Sequence, residues 1–192
     1  MDKLVSPEWE IRHGASTSLR EILKQISADK IKNKQFDQLT IFFEYCLKKL
    51  LTVIALDRFA DYIGDEAVAP VRETCAQIIG ILSSHLNQPN KLQELCQILN
   101  SFIQQEDDTN WEIRHSGIMA LKYTIAASAA LVTNHHEDHY YKNLQLIFYL
   151  TFPNILKCLR DNDDDVRHVA STALEPVSAF LTRLLDAVKF FE

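Results

Sequence analysis

Four stretches of this sequence can be written under one another. Ile11-Arg12-His13-Gly14-Ala15 leads to Leu19, and Val71-Arg72-Glu73-Thr74-Cys75 leads to Ile79. Ile113-Arg114-His115-Ser116-Gly117 leads to Leu121, and Val166-Arg167-His168-Val169-Ala170 leads to Leu174. The shared pattern is a β-branched residue, Arg, two free positions, a small residue, three free positions, then Leu or Ile. Steps of four residues lie along one face of an α-helix, so each copy is an amphipathic helix. The small residue in its middle lets a neighbouring helix come close.

The arginines of the four copies, at 12, 72, 114 and 167, are 60, 42 and 53 residues apart. A period near 40–47 with two helices per unit is that of HEAT and armadillo arrays, and the longer intervals call for long helices or inserted loops. Composition agrees with an all-α chain: 192 residues hold only four Gly and five Pro, well below average usage, so few turns are on offer. The expected fold is an all-α, HEAT/armadillo-like solenoid of about three and a half helix pairs. Within a single array over 1–192, residues 1–30 would be the second helix (B) of a truncated pair. Three further pairs would follow over 34–86, 90–130 and 139–190.

Local signals place the helices. Ser6-Pro7 reads as an N-cap with Pro at the first helical position, and Pro70 fits another first turn. Thr109 and Glu112 have capping-box spacing. The run Asp161-Asn162-Asp163-Asp164-Asp165 stacks acceptors and negative charge where a helix begins. First helices (A) of the pairs are expected over 35–60, 90–105 and 139–160, the last kinked by Pro153. The first B helix offers Ile11, Leu19, Ile22 and Leu23 with nothing before them, which suggests part of a longer array.

Lys and Arg number 20 against 26 Asp and Glu, a net charge of −6. That speaks against a phosphate backbone as main partner and for a basic one. The four cysteines, 46, 75, 96 and 158, show no C-x-x-C pairing and read as reduced thiols. No basic-then-apolar leader opens the chain, and no unbroken run approaches 18 apolar residues, so it reads as neither secreted nor membrane-spanning.

Each A–B turn carries carboxylates: Asp61, Asp65 and Glu66; then Glu106, Asp107 and Asp108; then Asp161, Asp163, Asp164 and Asp165. In a helical-pair array these turns share one edge, where such charges would form a dock for a basic protein. Capping of helix N-termini explains the same residues, and both roles are compatible. Trp9 and Trp111 open two B helices; each either packs on a neighbouring repeat or anchors a partner. The expected partner-binding set is Asp65, Glu66, Asp107, Asp108, Trp111, Asp163, Asp164 and Asp165. The repeat arginines are expected to form a ladder, each meeting a carboxylate of the adjacent turn. His135, His136 and His139, with Glu137 and Asp138, are better read as a loop than as a metal site, because no H-E-x-x-H spacing or matched Cys accompanies them. No nucleophile motif and no G-x-x-x-x-G-K-[ST] loop occurs. No catalytic residue, metal or cofactor is expected.

Three stretches also carry a resemblance. They are Trp9–Leu23, Leu56–Gln77 (LDRFADYIGDEAVAPVRETCAQ) and Trp111–Tyr123 (WEIRHSGIMALKY). They resemble, in the same order, the N-terminal HEAT array of the TATA-binding-protein-associated factors, the B-TFIID subunit family with a C-terminal Swi/Snf-type ATPase. The resemblance covers most of residues 6–125 and weakens beyond. It implies a nuclear scaffold for transcription regulation that grips TATA-binding protein, a basic protein, and helps remove it from DNA. It also implies that the motor lies outside this chain, which is then not itself an enzyme. Neighbouring HEAT repeats would be further partners, with no sequence-specific contact to nucleic acid and none to a membrane. A generic HEAT adaptor or carrier for a basic protein or peptide is the alternative.

Overall fold

The computed structural model describes residues 1–26, 36–58, 61–63, 66–86, 88–134 and 138–189. Among them are seven α-helices: α1 (Trp9–Lys24), α2 (Phe36–Leu56), α3 (Pro70–Ser83), α4 (Pro89–Ile103), α5 (Trp111–Asn134), α6 (Asp138–Cys158) and α7 (Asp164–Lys189). Two 3-10 turns, Asp2–Val5 and Asp108–Asn110, precede α1 and α5. The helices stand in two layers. α1, α3, α5 and α7 form one row, each packed on the next, and α4 packs on α6 in the other row. Each A helix also lies against the B helix that follows it, α2 on α3, α4 on α5 and α6 on α7. This is an all-helical, HEAT-like solenoid.

The repeat pattern is what fills the space between layers. Val71, Cys75 and Ile79 are fully buried, as are Leu121, Val166 and Ala170. Gly117 sits where α5 meets α4: a Cβ there would lie 3.0 Å from Ile103 Cγ1 and 3.1 Å from Leu99 O. On α1 the pattern is half covered. Leu19 and Leu23 are buried, whereas Ile11 and Ile22 remain exposed. α5 is long and apolar enough to cross a membrane by length and composition, but half of that stretch is buried and it packs against α3, α4, α6 and α7. Its apolarity is that of a central core helix.

Three local expectations need correcting. First, α1 begins at Trp9, not Pro7, and Ser6 Oγ accepts only from Glu8 N–H at 3.3 Å, two residues on. Second, Thr109 does not cap α5; it lies in the 3-10 turn and donates its own N–H to Asp107 Oδ1 at 2.9 Å. Third, the long turn between α2 and α3 holds a two-stranded antiparallel hairpin, β1 (Asp61–Ile63) and β2 (Glu66–Val68), with Tyr62 opposite Ala67. Asp163 does cap α7, accepting from the amides of Asp165 at 3.0 Å and Val166 at 3.1 Å. Pro70 occupies the first turn of α3.

Candidate functional site: the edge of inter-helix turns

The A–B turns lie side by side because the repeat arginines tie them together. Arg12 of α1 bonds to Asp57 at the end of α2, and Arg72 Nε of α3 lies 3.8 Å from the other oxygen of that carboxylate. Arg114 of α5 makes a bidentate pair with Asp161 beyond α6, both bonds 2.8 Å. Arg167 pairs within its own first turn, with Asp164. The expected ladder therefore holds at Arg12 and Arg114, whereas Arg72 shares Asp57 of the turn before its own helix and Arg167 pairs locally. A cation in the first helical turn opposes the helix dipole. Three of the four guanidinia turn away from the axis and donate to carbonyls of the preceding loop: Arg12 to Ser6 and Pro7, Arg114 to Asp107, Arg167 to Asp161 and Asn162.

Arg72 is the most enclosed of them, with no exposed surface. Its guanidinium lies over the Trp111 ring, 5.3 Å from the centroid, and it donates to Glu112 O and His115 Nδ1, each at 3.4 Å. A guanidinium can only donate, so His115 Nδ1 is an acceptor and the ring is neutral with its proton on Nε2. Burial, then the charge of Arg72, pushes the His115 pKa down to about 3. Burial also pushes Arg72 downward, with Asp57 and Glu112 opposing.

The acidic residues of the edge thus fall into different environments. Asp57 is buried and Asp161 half-buried, each holding an arginine. Burial alone would raise the Asp161 carboxyl, but hydrogen bonds from Arg114 and the Asp163 amide outweigh it and keep it below the usual range. Asp163 is spent on capping. Asp107 is exposed and held below its ordinary pKa by the Thr109 hydroxyl, then by the Thr109 amide. Glu106 and Asp164 are exposed, and Asp165 is half-buried. Glu66 belongs to β2 and Asp108 to the 3-10 turn before α5; Asp65 lies outside the described residues. Trp111 is half-buried, its ring engaged by Arg72 and, edge-on, by His115.

The edge also holds what charge counting missed. A groove of about 800 Å³ separates the loop Gln104–Glu106 from the end of α6. Ile103, Pro153, Leu156 and Leu159 line it, with the Arg114–Asp161 pair at its base and Lys157 and Arg160 on the α6 side. Both cations are exposed, and neither has a carboxylate in ion-pair range among the described residues. The turn edge is therefore mixed in charge.

Over nearly the whole chain, related sequences share one name. The human TATA-binding protein-associated factor 172 is 38% identical over 187 residues, which is 94% of this chain and 9% of that protein. The mot1 protein of that name from Schizosaccharomyces pombe is 31% identical over 188 residues, 91% of this chain and 9% of the relative. BTAF1 of Arabidopsis thaliana is 35% identical over 164 residues, 85% of this chain and 7% of the relative. The chain is a homologue of one segment of the TATA-binding protein-associated factors. It spans about a tenth of the length of these relatives. No family model and no solved structure gives a significant match. The similarity extends past residue 125, the limit of the resemblance carried by the three quoted stretches, since 94% of the chain aligns with the human protein.

Other chemistry has little support in the described residues. No group of three or more His, Cys, Asp or Glu side chains gathers there as a metal site. His135, His136 and Glu137 lie outside the described residues, and the His139 ring packs on Tyr140. The four cysteines are buried free thiols, pushed by burial up to about 11 at Cys46 and Cys158 and about 12 at Cys75 and Cys96. Such thiols are poor nucleophiles at neutral pH.

Proposed function

We propose that this chain is a protein-binding scaffold segment of a nuclear transcription regulator, and that it binds TATA-binding protein through the edge of inter-helix turns. The observation that carries this reading is the homology, over nine-tenths of the chain, to proteins named for association with TATA-binding protein. The net charge of −6 and the exposed carboxylates at Glu106, Asp107 and Asp164 support a basic partner. Asp65, Glu66, Asp108, Trp111, Asp163 and Asp165 complete the proposed surface. In this reading a stiff curved array positions the partner while a motor elsewhere in the longer protein displaces it from DNA; this segment performs no catalysis. Neighbouring helical pairs would continue the array, and neither a DNA sequence nor a membrane is a direct partner.

The test is a titration of the purified chain against TATA-binding protein at two salt concentrations. The expected result is micromolar or tighter binding, about −8 kcal/mol, weakening as salt rises. Absence of binding would move the function to another partner. Tight binding indifferent to salt would leave the partner and overturn the charged edge.

A further inference from the structure

The groove beside α6 does not suit a basic partner. Its α6 side presents two exposed cations, Lys157 and Arg160, with no carboxylate in ion-pair range among the described residues, in a chain whose net charge is −6. Between them and the opposite lip lies apolar surface. Leu156 is 42% exposed. Tyr149 and Pro153 continue the same helix face at helical spacing, Tyr149 with 74% of its surface open. The base is not free to change, because Arg114 and Asp161 neutralise each other there. The only acidic side chain on the far lip is Glu106, among the described lining residues.

We propose that this groove docks a short acidic segment of a partner protein, with an apolar side chain seated over Leu156 and Pro153 and its carboxylates turned toward Lys157 and Arg160. Charge complementarity selects the occupant. An apolar anchor supplies burial, while two cations with no carboxylate in ion-pair range among the described residues on one side and Glu106 on the other give the segment a direction. A second groove between the Asp2–Val5 turn and the end of α2 has the same base, the Arg12–Asp57 pair. It is smaller, about 190 Å³, and its rim cation, Arg58, faces Glu112 at 3.9 Å. The docking property therefore belongs to the α6 groove and not to the repeat in general. This inference does not rest on the TATA-binding-protein reading, because it concerns a ligand of opposite charge; Glu106, which lines the groove, is shared with the proposed edge.

The test uses the full 192-residue chain and three short fluorescein-labelled peptides. One is rich in Asp and Glu with Phe and Leu one helical turn apart. The second has every acidic residue changed to Lys, and the third has Phe and Leu changed to Ser. Fluorescence anisotropy should show saturable binding of the first alone. The double variant Lys157→Gln/Arg160→Gln should weaken it about tenfold, as should Leu156→Ser, while Glu106→Gln strengthens it modestly. Thermal melts run alongside show that the variants are folded. Leu156→Ser and the cation pair can be read separately should one of them melt early. No saturable binding of the acidic peptide, equal binding of the Lys peptide, or full affinity in a folded Lys157→Gln/Arg160→Gln chain overturns the proposal.

Discussion

Asp57 shows what a single carboxylate does when two helices compete for it. Its side chain is 1% exposed, and it faces Arg12 on one side and the fully buried Arg72 on the other. Asparagine would keep the shape but remove the carboxylate charge that both guanidinia share in a poorly solvated place. Breaking a buried pair in this way costs about 3 kcal/mol. Asp57→Asn should therefore lower the urea midpoint sharply, while Asp164→Asn, whose pair with Arg167 is open to solvent, should move it little. Equal shifts for the two would show that the buried pair is not what holds the turns together. His115 gives a second prediction. Its folded pKa, about 3, lies below the ordinary value of 6.5, so the unfolded chain binds the extra proton first. Stability is then complete above pH 6.5 and lost as pH falls toward 3, at up to about 1.4 kcal/mol per pH unit. His85, half-buried and stacked on Phe43, shifts in the same direction and adds to the slope. Denaturation between pH 6.5 and 5, above the main carboxylate range, should show a slope that His115→Gln reduces; an unchanged slope would place the protonation elsewhere.

Among the elements, helix positions were largely legible. The expected ranges 35–60, 90–105 and 139–160 correspond to Phe36–Leu56, Pro89–Ile103 and Asp138–Cys158. Hydrophobic period, Pro70 and the Asp163 cap are local signals, and local signals survive in a solenoid because each helix meets only near neighbours. The hairpin was missed although Gly64-Asp65 between Tyr62-Ile63 and Ala67-Val68 is a recognisable two-residue turn signal. The helical period on either side masked it. Helix contacts were legible only where the repeat marked them. Gly117 falls in the small-residue slot, but Gly80 does not, and Gly80 is the tighter approach: a Cβ there would sit 2.7 Å from the Tyr123 carbonyl oxygen. Alanine is the better helix former by about 1 kcal/mol, so Gly80→Ala sets propensity against a clash with backbone that cannot swing away. The clash should win, destabilising the chain by roughly 1–3 kcal/mol. Gly14→Ala is the opposite case: a Cβ at that position on α1 would meet nothing within 4 Å, and the melting temperature should rise with the propensity gain. If both substitutions shift the melting temperature alike, α3 and α5 do not cross at Gly80.

At the scale of the whole molecule, the charged edge was legible as a location and not as a set of available groups. Sequence placed acidic residues in every turn; among the described residues, Glu66 falls in β2, Glu106 and Asp107 in the loop before α5, and Asp164 and Asp165 in the first turn of α7. It could not show that Asp57 and Asp161 are consumed by arginines 45 and 47 residues away, since such partners are fixed only when the layers assemble. For the same reason nothing in the sequence marked Lys157 and Arg160 as the rim of a groove. Structural and docking carboxylates can therefore be separated by experiment. Glu106→Gln combined with Asp164→Asn removes two exposed charges and leaves the Asp107 and Asp163 caps and both buried Arg–Asp pairs in place. The variant should melt near the parent, because surface charges contribute little to stability. Its affinity for TATA-binding protein should fall roughly fivefold at low salt, and the deficit should close as salt rises and screens the charges that remain. Titrations of parent and variant at matched salt concentrations check this. A deficit that persists unchanged at high salt would mean that the two residues act through local packing, and parent-like affinity at every salt would take this part of the edge out of the interface.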